Sequence, residues 1–179
     1  PSLSRPILST PSLSTPSFSN VSLTRVGTGP FPTELNDEWG KWMGEKGHEF
    51  GATTGRPRRC GWMDAVALRY AVDINGLDGI IMNKIDILSG IPEIKMCVAY
   101  KHPTQGEFRH MPWDARVLEE CEPVYKTFKG WSGEVPKSGT YKDLPVEIRD
   151  YLKAVEDEIG CEIRMIGTGP GRTEAVYRD

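Results

Sequence analysis

Three short stretches hold the residue types that could recognise a nucleotide or another anion. The first, Asn83-Lys84-Ile85-Asp86, follows the apolar run Gly79-Ile80-Ile81-Met82 without a gap. A carboxylate at the end of a strand can accept two hydrogen bonds together, from the N1–H and the exocyclic amine of guanine. Adenine offers no such pair of donors, so the carboxylate selects the base, and the lysine stem can lie across the purine face. A pair this short also occurs as an ordinary solvated strand exit. The second stretch is Gly51-Ala52-Thr53-Thr54-Gly55-Arg56-Pro57-Arg58-Arg59. Its glycines free the backbone for close approach, its threonines donate hydroxyls, and its arginines present planar forks that pair with carboxylate or phosphate. The bland alternative is a basic, solvated turn. The third, Gly167-Thr168-Gly169-Pro170-Gly171-Arg172, can present bare backbone to a flat base, although the same residues make ordinary turns. A fourth stretch, Arg25 to Thr33, is also rich in glycine and proline.

Composition narrows the partners. The 179 residues carry a net charge of −3, with 38% hydrophobic and 26% charged residues. That balance is ordinary for a globular chain and gives no general attraction to nucleic acid or acidic membrane. Any anion site must therefore be local. Cys60, Cys97, Cys121 and Cys161 are widely spaced, which reads as free thiols in a reducing compartment. His48, His102 and His110 lie at no metal-ligand spacing, and no metal site is expected within the chain. No apolar run approaches the roughly 20 residues that span a bilayer.

The elements that must position these stretches are legible in part. Residues 1–20 carry proline at positions 1, 6, 11 and 16 and seven serines, so they read as a disordered leader ahead of a folded part over 21–179. A Ser-rich, acid-poor start is also the composition of an organelle transit peptide, against which the single Arg5 speaks. Thr33 is placed to cap a helix over 34–46, and a second helix is expected over 62–74 with Trp62, Val66, Tyr70 and Ile74 on its buried face. Residues 79–82 and 93–100 read as strands, followed by a loop-rich stretch through Pro112, Pro123, Gly130 and Gly139. The clearest helix begins at Pro145 and carries Ile148, Tyr151, Leu152, Val155 and Ile159 as its buried stripe, with Gly160 past its end. CEIRMI (161–166) is a strand that runs into the last glycine loop. Strands alternating with helices predict α/β architecture.

Taken together, TRVGTGPFPTEL (24–35), HEFGATTGRPRRCGW (48–62), NKIDILSG (83–90), EIKMCVAY (93–100) and IGTGPGRTE (166–174) occur in the order and spacing of the adenylosuccinate synthetases. The chain resembles the C-terminal portion of that family from about residue 24 to its end. The resemblance implies a GTP-dependent ligase with a large mixed sheet in three layers with flanking helices. Its reaction joins IMP to L-aspartate on the way to AMP, with GTP as co-substrate, Mg²⁺ as cofactor, and a cytoplasmic homodimer (or an organellar one, were residues 1–20 part of a transit peptide). By resemblance, Ala52, Thr53, Thr54, Gly55, Arg56, Pro57 and Arg58 would form the mobile loop that closes on aspartate. Val26 and Arg56 would reach IMP. Arg58, Lys84, Ile85, Asp86, Gly167, Thr168 and Gly169 would bind GTP.

Two departures stand beside the match. No counterpart is found within the 179 residues for the family's Gly-rich WGDEGKGK-like loop, which supplies the aspartate base and a magnesium ligand, or for its general-acid histidine. The resemblance therefore places the catalytic and Mg²⁺-binding groups outside these residues, and implies that they are inactive alone. Gly171 also stands where the family usually has aspartate. Two other readings remain open, a catalytically dead guanine-nucleotide binder that regulates a partner, and a phosphate or RNA binder using Arg56, Arg58 and Arg59. The low basicity and the lack of aromatics among those arginines count against the last.

Overall fold

The computed structural model of the chain describes residues 18–21 and 24–178. In chain order the elements are β1 (Phe18–Val21), β2 (Thr24–Arg25), α1 (Glu38–Lys46), β3 (Arg59–Cys60), β4 (Met63–Asp64), α2 (Ala65–Asn75), β5 (Gly79–Met82), β6 (Glu93–His102), β7 (Gly106–Phe108), α3 (Ala115–Glu119), β8 (Glu122–Lys129), β9 (Ser138–Thr140), α4 (Val146–Ile159), β10 (Ile163–Gly167) and β11 (Ala175–Tyr177). Single 3-10 turns occupy Asp86–Leu88 and Tyr141–Asp143. The α/β expectation holds, with mixed parallel and antiparallel pairing.

A five-stranded sheet runs β1-β5-β10-β11-β9, parallel at β1–β5, β5–β10 and β11–β9 and antiparallel at β10–β11. A second sheet is built on β6. β8 pairs antiparallel along one edge of it, while β4 (parallel) and β7 (antiparallel) share the other. β2 and β3 form a separate antiparallel pair. The central strands are buried on both faces: Ile80, Ile163 and Ile166 are wholly inaccessible, as are Ile94, Met96 and Cys97 of β6. Near-continuous apolar runs are what such strands require.

α4 closes this core, packing on α2 and β8. Every residue of its expected stripe is buried, and Tyr151 meets Phe128 edge-on at 5.3 Å between ring centroids. Gly160 ends the helix at φ +69°, where its N–H bonds to the Glu156 carbonyl, a left-handed cap that a side chain would strain.

Four expectations need correction. The first helix begins at Glu38, with Asp37 as its cap accepting from Trp39 and Gly40, because residues 33–35 are held extended against 60–62. In α2, Tyr70 and Ile74 are 49% and 63% exposed, and the buried face is Ala65, Val66 and Val72. The stripe had been phased from Trp62, which is buried but lies in the extended chain ahead of the Asp64 cap. The loop-rich stretch contains β8, paired only with β6 among the described residues and so an edge strand, the position in a sheet that tolerates a proline such as Pro123. Finally, Phe18, Ser19 and Asn20 stand in β1 beside β5, so the ordered part starts before residue 21, and the rest of the expected leader lies outside the described residues. Among the described residues no helix is long and apolar enough to cross a membrane.

Leu152 is fully buried at the centre of the α4 stripe. Leu152→Ala is expected to cost about 2–5 kcal/mol, for the lost burial and the cavity left behind. Urea denaturation should show a lower midpoint with the slope unchanged.

Candidate functional site

The parallel pairing of β5 with β10 sets Met82 beside Ile166, so the loops that leave the carboxyl ends of both strands emerge side by side. Such paired loop exits are where parallel sheets place ligands. Asn83 to Asp86 leave β5, and Thr168 to Gly171 leave β10. The two loops approach so closely that a Cβ at Gly167 would stand 2.4 Å from the Asn83 Oδ1, so any side chain there would force that amide to shift. Asp86, Thr168 and Gly169 then face one open cleft of about 650 Å³, together with Lys46, Val135 and Lys137. The Asp86 carboxylate is half-buried and engages no hydrogen bond or salt bridge among the described residues.

The wall of this cleft is braced by a residue that the sequence reading passed over. Glu174 accepts from the Gly171 N–H at 2.7 Å and meets Lys137 at 3.0 Å, while its backbone exchanges bonds with Thr168 and Gly171. These donors hold the Glu174 carboxyl below the usual glutamate range, the Gly171 amide first and Lys137 next. The turn is thus held by an acceptor three residues past Gly171, the position where the resembled family usually has aspartate. A carboxylate following a Gly-Pro-Gly turn was the available signal. Thr168 Oγ1 donates to the Lys137 carbonyl, which seats that threonine inward.

Lys84 takes a left-handed backbone at φ +62° and turns its ammonium away from this cleft. Its Nζ bonds to the Gly47 carbonyl at 2.7 Å and to Glu49 Oε1. Ile85 is buried, lining a small cavity with Met63, Met82 and Leu88, so only its backbone is free for a ligand. Glu49 also accepts from Arg58 Nη1, at 3.0 Å through Oε2. One carboxylate thereby joins the loop after β5 to the arginine-bearing loop. Glu49 was not singled out from sequence, although its place in HEFGATTG, one residue ahead of that loop, was in plain view.

The arginine-bearing loop is closed at its neck and open at its tip. The Arg58 N–H bonds to the Glu49 carbonyl and the Gly51 N–H to the Arg56 carbonyl, both at 2.8 Å. Between them Ala52, Thr53, Thr54, Gly55, Arg56 and Pro57 are exposed. The three arginines read as one basic cluster have separate fates. Arg56 has no side-chain partner among the described residues, Arg58 is shared with Glu49, and Arg59 faces another way. Arg59 grips Glu34 with both arms, at 2.8 and 2.5 Å, and donates to the carbonyls of Gly27 and Gly29. It therefore shapes the Val26–Pro32 loop and is not an open anion site. Val26 is 79% exposed beside this anchored turn.

Among the described residues no group of three or more His, Cys, Asp or Glu could hold a metal ion. The four cysteines are free and buried, and burial pushes the Cys97 thiol up to about 12. Buried thiols held protonated in this way are poor nucleophiles.

A profile of the adenylosuccinate synthetase family matches residues 19–176. The chain belongs to the adenylosuccinate synthetase family, a group of GTP-dependent ligases of purine biosynthesis. It is 52% identical over 158 residues to the adenylosuccinate synthetase of Caldicellulosiruptor bescii, covering 87% of this chain and 37% of the relative. The enzyme of Bifidobacterium longum subsp. infantis is 49% identical over 86% of this chain and 36% of its own length. The structure of fully ligated adenylosuccinate synthetase from Plasmodium falciparum superposes with a TM-score of 0.84 at 42% identity, covering 89% of this chain and 38% of that one. The chain thus spans a little over a third of the length of the relatives it matches.

The Glu34–Arg59 pair supports a prediction with a definite sign. The Arg59 hydrogen bonds hold the Glu34 carboxyl below its ordinary value of 4.5, outweighing the opposing effect of burial. A depressed carboxylate stabilises the fold above its unfolded-state pKa and loses that contribution as pH falls through its folded-state value. Glu34→Gln should therefore cost about 1–2 kcal/mol at pH 7. In paired melts of wild type and variant, the gap should narrow steadily below pH 4.5. A gap independent of pH would show that the pair's charge contributes nothing.

Proposed function

We propose that this chain supplies the guanine-nucleotide pocket and the aspartate-closing loop of adenylosuccinate synthetase. One observation carries the reading. The partner-free carboxylate of Asp86 shares a cleft with the backbone of Thr168 and Gly169, at the mouths of two adjacent parallel strands. In the proposed reaction the IMP O6 attacks the γ-phosphorus of GTP and releases GDP. The aspartate amine then adds at C6, phosphate leaves, and adenylosuccinate remains.

Within that scheme Asp86 accepts from the guanine N1–H and exocyclic amine. Lys84, its ammonium tethered to Gly47 and Glu49, offers its stem to the face of the base. The backbone of Gly167, Thr168, Gly169 and Ile85 completes the pocket. The exposed segment Ala52–Pro57 moves over aspartate, where Thr53, Thr54 and Arg56 can donate to its carboxylates. Val26 and Arg56 reach IMP, and Arg58 turns to the GTP phosphates, since its Nε has no hydrogen-bond partner where it now rests. The family's Mg²⁺ finds no set of ligands among the described residues, so no step is routed through it. No residue of the described part is assigned as catalytic base or acid. Function as a homodimer in a reducing compartment belongs to the same proposal, and the four buried free thiols fit that compartment. The chain from Phe18 onward is read as the C-terminal portion of the ligase domain.

Asp86→Asn tests the pocket directly. Asparagine keeps the shape but turns one acceptor into an amide donor, which opposes the guanine amine and matches the C2 carbonyl of xanthine. GTP binding, read by calorimetry, should weaken about tenfold or more, and XTP should gain relative to GTP. Equal losses for both nucleotides would make Asp86 a structural strand-end residue and remove the guanine reading. The purified 179 residues are expected to bind GTP without turning over IMP and aspartate. Turnover above a no-protein control, with other synthetase excluded by mass spectrometry, would overturn that expectation.

A further inference from the structure

Glu49 is 1% exposed, and a buried carboxylate is costly unless cations and hydrogen bonds compensate it. Its two oxygens are divided between two loops, Oε1 to Lys84 and Oε2 to Arg58. The cations differ from it in one respect: Lys84 and Arg58 keep 33% and 38% of their side chains exposed, so either can be solvated when it lets go. Glu49 cannot. The Arg58 N–H to Glu49 carbonyl bond holds the neck of the loop independently of the side chains, so the guanidinium can leave while the neck stays closed.

The backbone around this carboxylate is unusual as well. Among the described residues only two non-glycine residues have positive φ, His48 at 50° and Lys84 at 62°. One immediately precedes Glu49 in the chain and the other is its ion-pair partner. Left-handed backbone at non-glycine residues is strained and persists where the surroundings impose it, often at switches. Both of these residues adjoin the Glu49 carboxylate, one in the chain and one through the ion pair.

We propose that Glu49 is a positioning residue that couples the guanine pocket to the exposed loop 51–58. Occupancy of the base site fixes Lys84 against Glu49 and changes the share of the carboxylate left to hold Arg58. The loop's readiness to leave its open position thus depends on the nucleotide. By reciprocity, loop closure changes nucleotide affinity by the same factor. The proposal rests on the reading of Lys84 and Arg58 as nucleotide-binding residues given above.

GMP separates this coupling from direct contact, because it carries the base without the outer phosphates that Arg58 could grip. Amide exchange of residues 52–57 would be followed with and without saturating GMP, in wild type, Glu49→Gln and Glu49→Asp, with GMP affinity measured in parallel. In wild type GMP should alter loop exchange by about fivefold or more. Glu49→Gln, which keeps the shape and removes the charge, should abolish that response and weaken GMP several-fold. Glu49→Asp keeps the charge on an arm too short to reach both cations. It should retain more of the affinity while losing most of the response, and it serves as the test if the glutamine variant does not fold. A folded variant whose loop still answers GMP as wild type does would overturn the coupling. So would a wild-type loop indifferent to bound GMP. Failure of the underlying guanine reading would look different, as absence of GMP binding to wild type or indifference of that binding to Asp86→Asn, and the coupling would fall with it.

Discussion

The parallel pairing of β5 with β10 is the constraint from which the candidate site follows. Both strands are buried among isoleucines and methionines, so the pairing register is fixed by the apolar core and not by the loops. Once Met82 lies beside Ile166, the chain must exit on the same edge twice, first as Asn83-Lys84-Ile85-Asp86 and later as Thr168-Gly169-Pro170-Gly171. Some eighty residues separate these segments in sequence, and the sheet alone makes them neighbours. α4, lying between the two in the chain, covers that core with a fully buried stripe, so the packing that stabilises the domain also holds the two strands in register.

Charge organises what the sheet brings together. A chain of net charge −3 has few arginines to leave idle, and the structure pairs most of them internally. Arg59 is held by Glu34 and two carbonyls, Arg69 by Glu158, and Arg178 by Glu156. A guanidinium already satisfied in this way has little to gain from an incoming anion, whatever its local sequence looks like. Arg56 without a partner and Arg58 with an unbonded Nε are therefore the two members of the GRPRR run positioned to receive one. Counting basic residues in a window overstates such a site. Counting their internal partners corrects it.

The sequence carried much of this fold and stopped at identifiable places. α4 and the strands read over 79–82 and 93–100 were legible because their apolar runs survive unbroken to the core, the second strand continuing to His102. α2 was found and its face misread, since Trp62 is buried in an extended segment and lent the helix a false phase. β8 escaped because an edge strand with half-exposed side chains and a proline resembles a loop to any local rule. In the site, Asp86 and the glycine loops were visible as motifs. Glu49 was not, because an acidic residue beside a glycine loop has no local feature that separates a surface charge from a buried brace, and the one local signal for Glu174 was its place after a Gly-Pro-Gly turn. Each also depends on a partner far along the chain, Lys84 for Glu49 and Lys137 for Glu174.

Those two glutamates suggest how one fold can hold two loops to different degrees of rigidity. Glu174 grips its own loop, accepting from a backbone amide three residues earlier and from Lys137, so the turn after β10 is braced from within. Glu49 instead holds side chains, and both are long, flexible and partly exposed. A backbone amide cannot leave its acceptor without unfolding the turn, whereas a lysine or arginine can exchange one acceptor for another at modest entropic cost. The cleft wall after β10 is thus built largely on backbone bonds. The arginine-bearing loop is restrained through side-chain charge, held by a carboxylate denied access to water.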